Sequence, residues 1–136
     1  MREHVAADVL LTLARARDVM VDRMKTIATD LPVAPVSVIV FGSFARGEAD
    51  AKSDIDTILV RPAGIEESDD AWAASVQMWS DSLARVSGNR VEVLEVAESD
   101  IGHRFASRQE LWRDVRSEGI VIVGQSLDGL RGDSDG

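Results

Sequence analysis

The chain has 136 residues, 24 acidic against 15 basic, a formal net charge of −9 and no cysteine. That length suits one domain able to bury about two-thirds of its unfolded surface, and the missing cysteines exclude disulfides, zinc-thiolate sites and thiol chemistry. A negative charge with no basic stripe argues against long nucleic acid as a substrate, while a metal-bound nucleotide stays compatible because the cation inverts the local sign.

From the N-terminus, Val5, Val9, Leu13, Ala16, Met20 and Ile27 recur near helical spacing, which predicts one long helix from Glu3 to about Ala28. This alanine-rich amphipathic pattern with interspersed acids is not the short apolar core of a signal peptide, and no stretch is apolar enough to span a bilayer, so a cytoplasmic protein without membrane partners is expected. Leu31-Pro32 closes the helix. After Pro35, Val36 to Phe41 reads as a buried strand, Gly42 to Lys52 as a loop with a short helix, and Asp54 to Val60 as a second strand. Arg61-Pro62-Ala63-Gly64 is a loop. Ser68 is then the candidate cap of a helix from Asp69 to Val86, in which Trp72, Val76, Trp79, Leu83 and Val86 follow a 3.6-residue period. Such spacing is what a sheet-packing helix requires, so both tryptophans read as core and not as base-stacking platforms.

Gly88-Asn89 is expected to end that helix in a left-handed cap, and Arg90 to Val96 is the third strand. Ser99-Asp100 caps a short helix; another runs through Leu111, Trp112 and Val115 and stops at Gly119. Ile120 to Val123 is a last strand or an extended segment packed on the core. From Gln125 the chain is polar and glycine-rich and reads as a flexible tail. One domain is therefore expected over 1–124, with an N-terminal helix at 1–30, a core at 36–124 and the tail at 125–136.

The chemistry concentrates between Phe41 and Val60. Gly42-Ser43 follows a strand, so backbone amides and the Ser43 hydroxyl can face a phosphate where a short helix begins. Asp54 and Asp56 open the next strand, where alternate side chains share a face about 6.5 to 7 Å apart, so both carboxylates converge on a hard cation. Either signal alone is common. Both in this order, each flanked by a strand, are far more specific.

Gly42-Ser43, ten residues, then Asp54-Ile55-Asp56, with the flanks Gly-Ser-x-Ala-Arg-Gly at 42–47 and Ser-Asp-x-Asp at 53–56, resembles the minimal prokaryotic nucleotidyltransferases that share the DNA polymerase beta catalytic fold. The likeness covers about Val36 to Gly124. It implies an α/β (α+β) fold, a small mixed sheet of about three to five strands flanked by helices. It also implies a third acid from the neighbouring strand, typically an Asp in a Val-Asp-Leu-Val-like context. Glu92 is the candidate here, because a charge interrupting Val91-Glu92-Val93-Leu94 needs a partner or a metal if that run is buried. The bland alternative is an edge strand whose acids face water. Glu95, three residues on, lies on the opposite face.

The resemblance implies transfer of a nucleoside monophosphate from a nucleoside triphosphate, ATP first, to a hydroxyl, with pyrophosphate expelled and two Mg²⁺ ions about 3.5 to 4 Å apart neutralising the entering and leaving oxygens. Asp54, Asp56 and Glu92 are then the metal ligands and catalytic acids, Glu92 also taking the proton of the attacking hydroxyl. Gly42 and Ser43 hold the phosphates, and Arg46 contacts them, braces the loop or is a solvated charge. Lys52, His4 and His103 read as surface residues. Three functions fit: a transferase acting on a protein or RNA hydroxyl, as in the antitoxin half of prokaryotic toxin–antitoxin pairs; an enzyme for a small acceptor, as in the aminoglycoside-modifying relatives; or a catalytically silent module that neutralises a partner by binding. The first implies a co-encoded toxin as partner, and a homodimer is the other way to complete a site that has no acceptor domain of its own.

Overall fold

The computed structural model describes residues 2–50 and 52–124, with side chains placed from residue 15. Eight elements follow in the order α1 (Arg2–Thr29), β1 (Ser37–Phe41), β2 (Ile55–Arg61), α2 (Asp70–Ser87), β3 (Val91–Ala97), α3 (Glu98–Phe105), α4 (Glu110–Glu118) and β4 (Ile120–Val123). The apolar runs pair into one sheet of order β3-β2-β1-β4. β1 lies antiparallel to both β2 and β4, whereas β2 and β3 are parallel and are joined across the sheet by α2, the crossover that a parallel pair needs. The result is the expected mixed α+β sheet.

Period-two alternation splits the strands between two cores. On one face Val38, Val40, Ile55 and Leu59 pack with Met24, Ala28 and Leu31 and with Trp72, Trp79 and Leu83 of α2. On the other, Ile39, Ile58, Val60 and Val96 pack with Ile101 and Phe105 of α3 and Trp112 and Val115 of α4. Both α2 tryptophans are core, as their spacing predicts. The helix ends where expected, at Gly88 with φ +75° and its amide donating to Ala84 O.

Several local expectations are corrected. Ala16 is exposed, and the buried positions are Met24 and Ala28. α1 has 28 residues, about 42 Å at 1.5 Å per residue, while strands of four to seven residues extend only about 13 to 23 Å, so part of the helix overhangs the sheet. The side chains of Val5, Val9 and Leu13 lie outside the described ones. Asp69, not Ser68, caps α2, its Oδ1 accepting from Trp72 N at 2.9 Å. Ser75 is buried where Val86 is not; its hydroxyl accepts from Val33 N at 2.8 Å, which satisfies both partners. α3 starts directly from β3 with no side-chain cap, so Ser99-Asp100 falls inside its first turn. Residues 125–136, read as the tail, lie outside the described residues. Among the described residues no helix is long and apolar enough to cross a membrane.

Candidate active site

Strand register assembles the site. Phe41 closes β1 opposite Asp56 of β2, and Asp56 lies opposite Glu92 of β3. Three neighbouring strands therefore bring Gly42, Asp56 and Glu92 into a row. The row runs along the face that α3 and α4 cover, at the end occupied by the acids and not by the buried Ile58, Val60 and Val96. Gly42 is required twice over. Its φ is +75°, and a Cβ built there would collide with Asp56 Oδ2 and come within 3.3 Å of Cγ, so only glycine lets the backbone pass this close to the carboxylate.

Residues Gly42 to Gly47 form consecutive turns and not the short helix expected. Arg46 N donates to Gly42 O at 3.1 Å, Gly47 N to Phe44 O at 3.0 Å and Glu48 N to Ser43 O at 2.8 Å. The last two bonds close around Gly47, whose φ is positive, in the pattern of a left-handed helix end, so the segment stops after a single turn. Among the described residues the amides of Ser43, Phe44 and Ala45 have no backbone acceptor, which leaves adjacent donors of the kind that receive anions. Arg46 braces this turn: its Nε meets Glu48 Oε2 and its NH1 meets Glu118 Oε1 at the end of α4, both at 3.0 Å. Those hydrogen bonds, with Glu48 first, hold its guanidinium above the ordinary value.

Asp54 stands just before β2, where its Oδ2 accepts from Arg90 NH2 at 3.0 Å. The same guanidinium lies 3.6 Å from Glu92 Oε1. Asp56 has no hydrogen-bond donor among the described residues. Desolvation first, then Asp54 and Glu92, push its pKa up, while Arg46 pulls it down. Glu92 requires a correction: β3 is the edge of the sheet and the Glu92 side chain is 57% exposed; the expectation of a buried run fails because Val91 and Val93 pack on the α2 core while the face of Glu92 and Leu94 stays open. The bland edge-strand alternative was right about burial. Register nonetheless puts Glu92 beside Asp56, and Glu95 faces the other way, paired with Arg61 at 2.6 Å.

Sequence reasoning missed four residues around this row. Trp79 Nε1 donates to Thr57 Oγ1 at 3.1 Å, and Thr57 Oγ1 donates to Glu92 O at 2.9 Å, so α2 holds the edge strand through a buried hydroxyl. Asn89 Nδ2 donates to Asp50 O and Ser53 O, each at 2.7 Å, and Ile55 N donates to Arg90 O at 2.8 Å; together they lock the turn after α2 onto the loop that carries Asp54. The available signal was Thr57, a hydroxyl inside an otherwise apolar strand. Arg90 lies two residues before Glu92, but nothing local shows which acid it meets.

Among the described residues no group of three His, Cys, Asp or Glu side chains is drawn together tightly enough to hold an ion as it stands. The chemistry of the donors still fits a hard divalent cation: all-oxygen carboxylates in neighbouring register, one of them without a protein donor and destabilised by its neighbours, a repulsion that a cation relieves.

A glycine turn set against a strand-borne acid on a small mixed sheet is the site this fold presents. Residues 21–104, more than half of the chain, match the family model described as the nucleotidyltransferase domain, and the chain belongs to that family. No curated protein matches it. Among solved structures it is similar to a toxin–antitoxin complex with AMP-PNP, at 16% identity, TM-score 0.54, covering 85% of this chain and 86% of the other. A mutant form of the toxin–antitoxin MntA-HpeT gives 12%, 0.52, 85% and 86%. A tri-AMPylated Shewanella oneidensis HEPN toxin in complex with MNT antitoxin gives 13%, 0.50, 88% and 77%. At such identities these structures establish the fold.

Proposed function

We propose that this chain is a metal-dependent nucleotidyltransferase, a single domain over 1–124, that moves a nucleoside monophosphate from ATP or another triphosphate to a side-chain hydroxyl of a partner protein, the toxin of a toxin–antitoxin pair. The observation that carries the reading is the row of Gly42, Asp56 and Glu92 across three strands, with Asp54 at its side. Family membership supports the reaction class. The AMP-PNP of one neighbour and the AMPylated toxin of another support the donor and the acceptor class.

In this reading Asp54, Asp56 and Glu92 hold Mg²⁺, which supplies charge neutralisation at the entering and leaving oxygens. The Ser43, Phe44 and Ala45 amides and the Ser43 hydroxyl hold the terminal phosphates, and Arg46 keeps that turn in place through Glu118. Glu92, exposed on the edge strand, takes the proton of the incoming hydroxyl as its oxygen bonds to the α-phosphorus and the bond to pyrophosphate breaks. The test incubates the chain with labelled ATP, Mg²⁺ and the protein encoded beside it. Addition of one or more nucleoside monophosphates to that protein, abolished by Asp54→Asn, supports the reading. A partner that binds unmodified and is neutralised equally by wild type and Asp54→Asn replaces it with the silent binding module.

A further inference from the structure

We infer that Arg90 is a built-in counter-cation of the acidic site, standing in for the divalent ion on Asp54 and Glu92, and that metal entry requires its guanidinium to leave. The inference rests on the reading of the three acids as a metal site and adds a residue that sets how tightly the ion is held.

Geometry carries it. One NH2 group lies 3.0 Å from Asp54 Oδ2 and 3.6 Å from Glu92 Oε1, so a single positive group spans two of the three acids. Its backbone is fixed at the same place. Arg90 O accepts from Ile55 N at the first rung of the parallel ladder, and the adjacent Asn89 is held by two hydrogen bonds to the 50–53 loop. The root of the side chain is therefore held within reach of these carboxylates by the fold. Yet the side chain is 76% exposed, and an exposed ion pair is weak and breaks readily. A group that is pinned at its root and free at its tip can neutralise the acids without a cation and swing into solvent when one arrives. Asp56 has no such partner, which leaves one carboxylate open to a first contact with the ion.

The consequence is antagonism. Breaking this exposed ion pair opposes ion binding by roughly two- to fivefold, and the opposition is screened by salt. The experiment measures Mn²⁺ binding by calorimetry and by the loss of its free-ion magnetic resonance signal, without nucleotide and then with AMP-PNP, for wild type, Arg90→Gln and Arg90→Lys. Arg90→Gln should bind Mn²⁺ about two- to fivefold tighter at low salt, with the gap closing as salt rises. Arg90→Lys, which keeps the charge but not the planar fork, should stay near wild type. Without metal, Arg90→Gln should melt no higher than wild type, and with saturating Mn²⁺ the gap should close. Unchanged or weaker Mn²⁺ affinity in Arg90→Gln, with wild type binding normally, overturns the inference alone and makes Arg90 a support of its neighbours. If wild type binds no Mn²⁺ even with AMP-PNP present, the metal-site reading falls and the inference with it.

Discussion

Replacing Gly42 with alanine tests the contact on which the site is built. Two separable costs are expected. The first is backbone: φ at +75° costs a non-glycine residue about 1 to 2 kcal/mol. The second is the Asp56 carboxylate, which the new methyl displaces; forcing a side chain about 30° off its rotamer costs about 0.5 to 1.5 kcal/mol. Gly64 separates the two, because its φ is +85° and a Cβ there meets nothing within 4 Å. Gly64→Ala should therefore lose only the backbone part. For a domain of this size each kcal/mol lowers Tm by about 3 to 5 °C, so Gly64→Ala should melt about 3 to 10 °C lower and Gly42→Ala a further 2 to 7 °C or so. Thermal melts of both variants, repeated in an Asp56→Ala background, provide the cycle. The extra loss at Gly42 should disappear once Asp56 is shortened, whereas the Gly64 loss should not change. If Gly42→Ala and Gly64→Ala are equally destabilised and Asp56→Ala rescues neither, the carboxylate does not rest on Gly42 and the row across the three strands is misplaced. Nucleotide transfer gives the second reading: Gly42→Ala should lose about 10²-fold, the scale seen when one preorganised charge-stabilising group is deleted, and Gly64→Ala little.

Three further outcomes follow from the same geometry. Asp56 has a folded pKa above its ordinary carboxylate value, so the folded chain holds that proton more tightly and the metal-free protein loses stability as pH rises from the ordinary range through the raised value. Asp56→Asn should thus match wild type at low pH and exceed it at pH 7 in urea unfolding, and a gap that narrows with rising pH would contradict the desolvation of Asp56 beside Asp54 and Glu92. Saturating Mg²⁺ and ATP at about a hundredfold over their dissociation constant should stabilise the chain by about 2.7 kcal/mol, roughly a 10 °C rise in Tm, and no shift with any of the four triphosphates would end the nucleotide-binding claim. Thr57→Val keeps the shape but removes both the acceptor for Trp79 Nε1 and the donor to Glu92 O; with a buried indole N–H left unpaired it should cost about 1 to 3 kcal/mol, and transfer should fall beyond what the lost stability explains if the hydroxyl positions Glu92.

The elements with strong local signals were legible in the chain. β4 falls on its predicted residues and the other three strands within a residue or so, because each is an apolar run bounded by a proline, a glycine or a pair of acids. α2 was clear because its apolar spacing and Gly88 agree on both face and end. The acids and the glycine turn were legible through their order and spacing alone. What escaped depends on partners distant in sequence. Ala16 has good helical spacing, but whether it is covered depends on how far the sheet extends beneath α1. Ser68 and Asp69 are both good caps, and only the entry angle of the chain chooses between them. Arg90 reads as an ordinary charge before a strand until β2 and β3 are aligned in parallel and Asp54 comes within 3.0 Å.

The misjudged burial of β3 bears most on the chemistry. A charge interrupting the apolar Val-Glu-Val-Leu run suggested a buried carboxylate, with a solvent-facing edge strand as the alternative, and the strand order leaves β3 with one neighbour and Glu92 in water. The three acids thereby stand in three different environments: Asp54 hydrogen-bonded to the Arg90 guanidinium, Asp56 partly desolvated with no donor among the described residues, and Glu92 exposed on the edge with the same guanidinium 3.6 Å away. A carboxylate that must take a proton from an arriving hydroxyl has to be reachable, whereas one that must grip a cation gains from losing water and from repulsion that the cation relieves. Glu92 suits the first task and Asp56 the second. A buried Glu92 would have bound a proton more tightly but stood out of reach of an arriving hydroxyl, so the exposed edge fits the transfer chemistry proposed here more closely than a sealed strand.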